Sequence, residues 1–161
     1  MSAEHPTPRA VLEKVLDPEM PVLTIADLGV LRDVREVDGR VEVTITPTYS
    51  GCPAMDVIRA DIETALNAAG YPDVVVRTAL APAWTTEWIT EHGRRALAAA
   101  GIAPPQPTTQ GGGPVPIALS VPCPQCGSPD TRPQSQFGPT ACTALWVCTS
   151  CREPFEYVKA F

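Results

Sequence analysis

Five of the six cysteines in this chain of 161 residues stand between positions 123 and 151, and four of them form two Cys-x-x-Cys pairs. The pairs are Cys123-Pro-Gln-Cys126-Gly127 and Cys148-Thr-Ser-Cys151, with residues 127 to 147 between them, a spacer slightly longer than the ~15 to 20 residues usual for such sites. Two residues between thiolates let one tight turn present both sulfurs to one ion, and Gly127 supplies the freedom to turn back. Two such turns close four thiolates into a tetrahedron, which suits structural zinc and leaves no open position for a substrate. An iron-sulfur cluster on the same four cysteines is the alternative that the ligand set leaves open. Leu145 to Val147 and Phe155 to Val158 read as strands flanking the second turn, so the tail is expected to be a zinc ribbon. Cys142 has two readings: a small residue on a ribbon strand, or an accessory thiol near the metal, available for redox or transfer.

Six cysteines would also permit disulfides. The start, Met1-Ser-Ala-Glu-His5, lacks a basic stretch followed by an apolar one, so a cytoplasmic chain with reduced thiols is expected. Apolar runs far shorter than ~20 residues argue against a membrane span. With 12 Lys+Arg against 18 Asp+Glu the formal charge is −6, and no basic run appears, so nucleic acid is not an expected partner.

Nineteen prolines mark turns and linkers. The stretch 103 to 116, rich in Pro with three consecutive glycines, has linker composition and divides the chain into domains 1–102 and 117–161. The tail module falls near the size at which a hydrophobic core seldom suffices, which agrees with a metal holding it together.

The longer part is expected to be an α+β domain: a small mixed sheet, hairpin plus a further strand, covered by helices. Residues 7 to 16 read as a helix with Thr7 as N-cap and Pro8 in its first turn, stopped by Asp17-Pro18-Glu19-Met20-Pro21. Asp27 and Gly29 read as turn material. Val30 to Val37 and Arg40 to Thr46 alternate around Asp38-Gly39, a strong hairpin pattern. A helix over about 53 to 69, a strand over 73 to 80 and a second helix over 87 to 100 complete the expectation.

Cys52 stands alone in Gly51-Cys52-Pro53, ahead of the expected helix. The positive end of a helix dipole lowers a thiol pKa and favours metal or nucleophile chemistry; an N-cap or a buried thiol is the plainer reading. Asp17 and Glu19 read as paired carboxylates or as ordinary turn residues. His5 and His92 read as solvated. No Ser/His/Asp set, phosphate loop or dinucleotide fingerprint appears.

Asp17-Pro-Glu-Met-Pro21, Ile25-Ala-Asp-Leu-Gly-Val30 and Thr48-Tyr-Ser-Gly-Cys-Pro53 together resemble the SufT-like (MIP-type) family of iron-sulfur cluster assembly domains, over roughly residues 7 to 100. The tail, with Phe137-Gly-Pro-Thr-Ala-Cys142 and Cys148-Thr-Ser-Cys151-Arg-Glu-Pro-Phe155, extends the resemblance to the D-subunit family of phenylacetyl-CoA epoxidases. That resemblance implies an accessory role in aerobic phenylacetate degradation, with an oxygenase and an iron-sulfur flavin reductase as partners. It also implies a transient iron-sulfur cluster or iron as cargo, with Cys52 as the thiolate that holds or passes it and Asp17 and Glu19 positioning the loop. A structural subunit that stabilises the oxygenase complex without handling iron is the second reading. Neither needs catalysis by this chain. Exposed strand edges leave a homodimer open.

Overall fold

A computed structural model describes residues 5–106 and 120–160. The chain divides into two compact units, Met1–Trp84 with Trp88–Thr90, and Thr85–Glu87 with Glu91–Phe161.

In the first unit, α1 (Pro8–Leu12) is capped by Thr7, whose hydroxyl accepts the Ala10 N–H at 3.3 Å. The helix is shorter than the sequence pattern predicts. Residues 15 to 25 instead form a hooked loop, closed by the Asp17 N–H on the Leu23 carbonyl and the Ile25 N–H on the Val15 carbonyl, both at 2.9 Å. Past Glu13 the bonds tighten to i→i−3, the Lys14 N–H on the Val11 carbonyl at 3.3 Å and the Val15 N–H on the Leu12 carbonyl at 3.1 Å, and the loop takes over the backbone groups from Val15 onward. Leu16, the last residue of the expected helix, is 52% exposed in this loop.

β1 (Leu31–Val37) and β2 (Arg40–Ile45) pair antiparallel through a two-residue turn in which Asp38 and Gly39 both have positive φ, 51° and 80°. Such turns match the natural twist of a hairpin. From β2 the chain crosses over through α2 (Ala54–Ala68) to β3 (Val74–Thr78), which pairs parallel to β2. The result is the expected small mixed sheet, in the order β1-β2-β3. Ile58, Ile62 and Leu66 of α2 are at most 1% exposed, as are Val41, Val43 and Ile45 of β2. Each such side chain contributes about 1.5–3 kcal/mol by leaving water.

The loop from Thr24 to Gly29 is a socket for Trp84 and for residues 88 to 90. Thr90 donates its N–H to the Asp27 carbonyl at 2.9 Å and its hydroxyl to Asp27 Oδ1 at 2.6 Å, while Trp84 Nε1 donates to the Leu28 carbonyl at 2.9 Å. Gly29, with φ +80°, lies so close to Trp88 that a Cβ would stand 2.6 Å from the Trp88 Cβ.

In the second unit, α3 (Glu91–Ala99) leads into β4 (Ile102–Ala103), followed by β5 (Thr131–Ser135), β6 (Thr143–Cys148) and β7 (Pro154–Val158). The sheet order is β4-β7-β6-β5. The helix expected over 87–100 starts later, at Glu91, after a short 3-10 turn at Thr86–Trp88. The expected boundary after residue 102 falls inside this unit, since β4 occupies the edge of β7 and the Arg94 guanidinium donates to the Pro105 and Thr86 carbonyls, each at 2.9 Å. Of the expected linker 103–116, residues 107–116 lie outside the described residues. The core gathers Ala103, Val121, Ala144, Trp146, Phe155 and Tyr157 with the sulfurs of Cys123 and Cys148. Trp146 and Tyr157 meet edge to face, centroids 6.0 Å apart.

Gly29→Ala should lower stability by about 2–4 kcal/mol, from left-handed backbone and from collision with Trp88. Gly39 has the same φ, and nothing lies within 4 Å of where a methyl would stand, so Gly39→Ala carries only the backbone part. Urea unfolding midpoints of the two variants isolate the Trp88 contact.

Candidate metal centre and thiol site

The two Cys-x-x-Cys turns are built alike. The Cys123 N–H donates to the Ser128 carbonyl and the Cys148 N–H to the Glu153 carbonyl, both at 3.0 Å. Gly127 and Arg152, each following the second cysteine of its turn, take φ of 73° and 67°. Only the first of these positions is a glycine, so the sequence spacing shows the repeat in its cysteines but hides it in Arg152. The turns are tied by Ser128 Oγ and Ser150 Oγ, 2.8 Å apart.

This geometry brings the four sulfurs of Cys123, Cys126, Cys148 and Cys151 within 4.8 Å of one another. Cys123 and Cys151 are 3.7 Å apart and Cys126 and Cys148 are 3.6 Å apart. Four thiolates at ~2.3 Å from one tetrahedral ion stand about 3.8 Å from each other, so the set fits a single ion. A 4Fe–4S cluster gives each sulfur its own iron atom and a 2Fe–2S cluster shares two irons between two pairs, and either holds the four sulfurs as a set wider apart than one ion does. Cys123 and Cys148 are buried and Cys126 and Cys151 exposed, so the site sits at the rim of the core. The N–H groups of Cys151 and Ser150, together with neighbouring thiols, pull Cys148 down to about 6. At Cys151 the Glu153 N–H acts downward but is outweighed by burial and the other three sulfurs, which push it up to about 12. One negative charge forms readily here and further ones resist, which is the electrostatics that a divalent cation reverses.

Cys142 is not at this centre. It precedes β6 while Cys148 ends it, and at ~3.3 Å per strand residue they stand about 20 Å apart. Its sulfur lies 3.0 Å from Thr140 Oγ1 in a loop at the other end of the strand. The expectation of a thiol near the metal is therefore set aside.

The first unit assembles the other candidates. Asp17 is 4% exposed and its Oδ1 accepts the N–H groups of Glu19 at 3.0 Å and Met20 at 2.7 Å, which fixes the turn. Burial raises its pKa, against those two hydrogen bonds. Glu19 is raised as well, by burial and then by the charge of Asp17. Cys52 is half-buried just ahead of α2, whose N-cap is Pro53. Its thiol pKa is raised, not lowered as the helix position predicts: burial dominates, and the charges of Glu19 and Asp17 add to it, against the Ala54 N–H and the Tyr49 side chain. Folding thus places Cys52, Glu19 and Asp17 within electrostatic reach of each other and adds Tyr49, which the sequence carries inside the same motif without marking its role. Among the described residues, these three side chains do not converge as ligands on one point; the four cysteines do.

Two family models match the chain: an iron-sulfur cluster assembly protein over residues 9–78 and a PaaD zinc beta ribbon domain over residues 106–159. A protein of Escherichia coli (strain K12), named provisionally as the D subunit of 1,2-phenylacetyl-CoA epoxidase, is 45% identical over 93% of this chain and 89% of its own length. The chain belongs to the D-subunit family of phenylacetyl-CoA epoxidases. Its first unit, taken separately, is similar to the Fe-S protein maturation auxiliary factor YitW of Bacillus subtilis (strain 168), 34% identical over 53% of this chain and 85% of that protein. It is also similar to a solved DUF59 domain of Bacillus anthracis, with a TM-score of 0.52 and 30% identity over 56% of this chain and 87% of that one. This D-subunit family chain is thus an α+β assembly-family domain joined to a zinc ribbon, and no helix among its described residues is long and apolar enough to cross a membrane.

Because Cys52 stays protonated below its raised pKa, its alkylation should keep accelerating past pH 9 without a lower plateau. Glu19→Gln removes a negative neighbour, so the profile should move to lower pH. Peptide-resolved mass spectrometry after timed iodoacetamide exposure reads both, and a plateau near pH 7 would contradict the electrostatics.

Proposed function

We propose that this chain is an accessory maturation factor of a phenylacetyl-CoA epoxidase, delivering iron or an iron-sulfur cluster to the oxygenase or the iron-sulfur flavin reductase. The observation that carries the reading is the grouping of Cys52 with Glu19 and Asp17 in a domain of the iron-sulfur assembly family. A thiol held neutral by burial and by nearby carboxylates is guarded from oxidation while empty. An arriving cation offsets the repulsion, the thiol proton leaves to solvent, and the sulfur becomes a ligand. The Ala54 N–H and Tyr49 then support the thiolate, and the Asp17 turn holds Glu19 in place.

In this reading Cys123, Cys126, Cys148 and Cys151 hold zinc, which supplies cross-linking and charge neutralisation rather than reaction chemistry. Purified protein should contain about one zinc per chain, and Cys148→Ser should reduce it to near none with loss of near-UV circular dichroism from the Trp146 and Tyr157 pair. Retained zinc in that variant would contradict the assignment.

The role itself is tested by Cys52→Ser in cells that co-produce the oxygenase and reductase. Iron content and activity of one of these components should fall severalfold while their amounts stay constant. A second reading, a structural subunit that handles no iron, draws on the failure of Cys52, Asp17 and Glu19 to converge on one point. It is favoured if Cys52→Ser leaves loading unchanged and Cys148→Ser abolishes assembly of the complex.

A further inference from the structure

The loop between β5 and β6 is more heavily fixed than a connection requires. Ser135 Oγ donates to the Phe137 carbonyl at 2.9 Å and accepts the Phe137 N–H at 3.1 Å. Gly138 donates its N–H to the Thr143 carbonyl at 2.9 Å and packs so tightly on Thr143 that a Cβ would strike its hydroxyl. Thr143 Oγ1 donates in turn to the Thr140 carbonyl at 3.2 Å. Lys159 closes the loop from β7's end: its N–H donates to the Cys142 carbonyl at 2.9 Å and its Nζ to the Gln136 carbonyl at 3.1 Å.

All of this order displays one side chain. Phe137 is 69% exposed, more than any other large apolar residue described, whereas Phe155 of the same sheet is 5% exposed. Lys159 Nζ lies 5.1 Å from its ring centroid. A rigid aromatic with little rotamer freedom to lose, left in water, has the character of an interface anchor. The surroundings define what it fits. Residues 133 to 145 carry no Asp, Glu, Lys or Arg, and the charge that stands over the Phe137 ring is the Lys159 ammonium, in a chain of net charge −6. That ammonium favours a partner bringing a carboxylate to the edge of the ring, against the acidity of the chain as a whole. The same balance disfavours a second copy, which would bring −6 against −6, and an anionic membrane.

We propose that Phe137 is the docking anchor of the ribbon, inserting into an apolar pocket bordered by a carboxylate on a protein component of the oxygenase system, with Lys159 meeting that carboxylate. The proposal rests on the accessory reading above. It assigns the tail a function at the end of β6 opposite the cysteines, so that docking and ion binding use different ends of one strand.

The test titrates full-length, metal-replete protein against the purified oxygenase and, separately, the purified reductase by calorimetry. Phe137→Ala should weaken binding to one of them by about tenfold or more, and Lys159→Glu should weaken it in the same titration. Zinc content and melting temperature of Phe137→Ala should not change, because the ring is mostly in solvent. Cys52→Ser should bind as the unaltered chain does, which separates docking from cargo handling: a failed Cys52→Ser loading test with an intact Phe137 effect removes the maturation reading and keeps the anchor. Undiminished binding by Phe137→Ala, or no binding of the unaltered chain to either component, overturns the anchor. So does sedimentation showing that Phe137→Ala only splits a homodimer, or flotation showing that it only releases the chain from vesicles of anionic phospholipid.

Discussion

Four sulfur atoms held within 4.8 Å of each other cannot all ionise readily without a cation, and the second unit of this protein is organised around that fact. Two turns of matching hydrogen-bond pattern present the sulfurs, and two of the four sulfurs are also core atoms, packed with Trp146, Phe155 and Tyr157. The site and the core are therefore one object: moving a strand moves a ligand. A four-stranded sheet this small buries few large side chains, so an ion that joins residues 123 to 151 removes much of the freedom of the unfolded chain.

The first unit solves a different problem. Its core is self-sufficient, with α2 supplying three fully buried side chains against the mixed sheet, and its loops are held by polar groups. Asp27 receives Thr90, Gly29 admits Trp88, and Asp17 caps the turn that carries Glu19. Around Cys52 those same loops concentrate negative charge next to a partly buried thiol. The arrangement is unfavourable for a bare thiolate and favourable for a thiolate neutralised by a cation, which is why a thiol with a raised pKa is compatible with metal handling.

Much of this is legible in residue order where chemistry is local. Cysteine spacing reports a turn and its ligands directly, and Asp38-Gly39 reports a hairpin because few other residues tolerate its backbone. Where sequence and fold part, the causes are equally physical. β5 contains Pro133 and sits at a sheet edge, where no alternation is required, and β4 has two residues and exists only because β7 offers it an edge. α1 stops early because Val15 and Asp17 give their backbone groups to Ile25 and Leu23, partners that only folding brings near. The direction of the Cys52 shift runs against the sequence expectation because the helix N-terminus is visible in sequence, whereas burial and the charges of residues 17 and 19 arise only on folding. Cys142, close to Cys148 in sequence, is carried away by the length of an extended strand.

The central claim is a division of labour: a permanent ion on the four tail cysteines and exchangeable cargo at Cys52. The direct measurement is metal and sulfide content with the absorption spectrum of full-length protein purified without oxygen and incubated with ferrous iron and sulfide, compared with Cys52→Ser. That division predicts about one zinc per chain in both, and an iron-dependent visible band in the unaltered protein that Cys52→Ser loses. A visible band that persists in Cys52→Ser, with zinc absent, would place iron on the tail cysteines and contradict it.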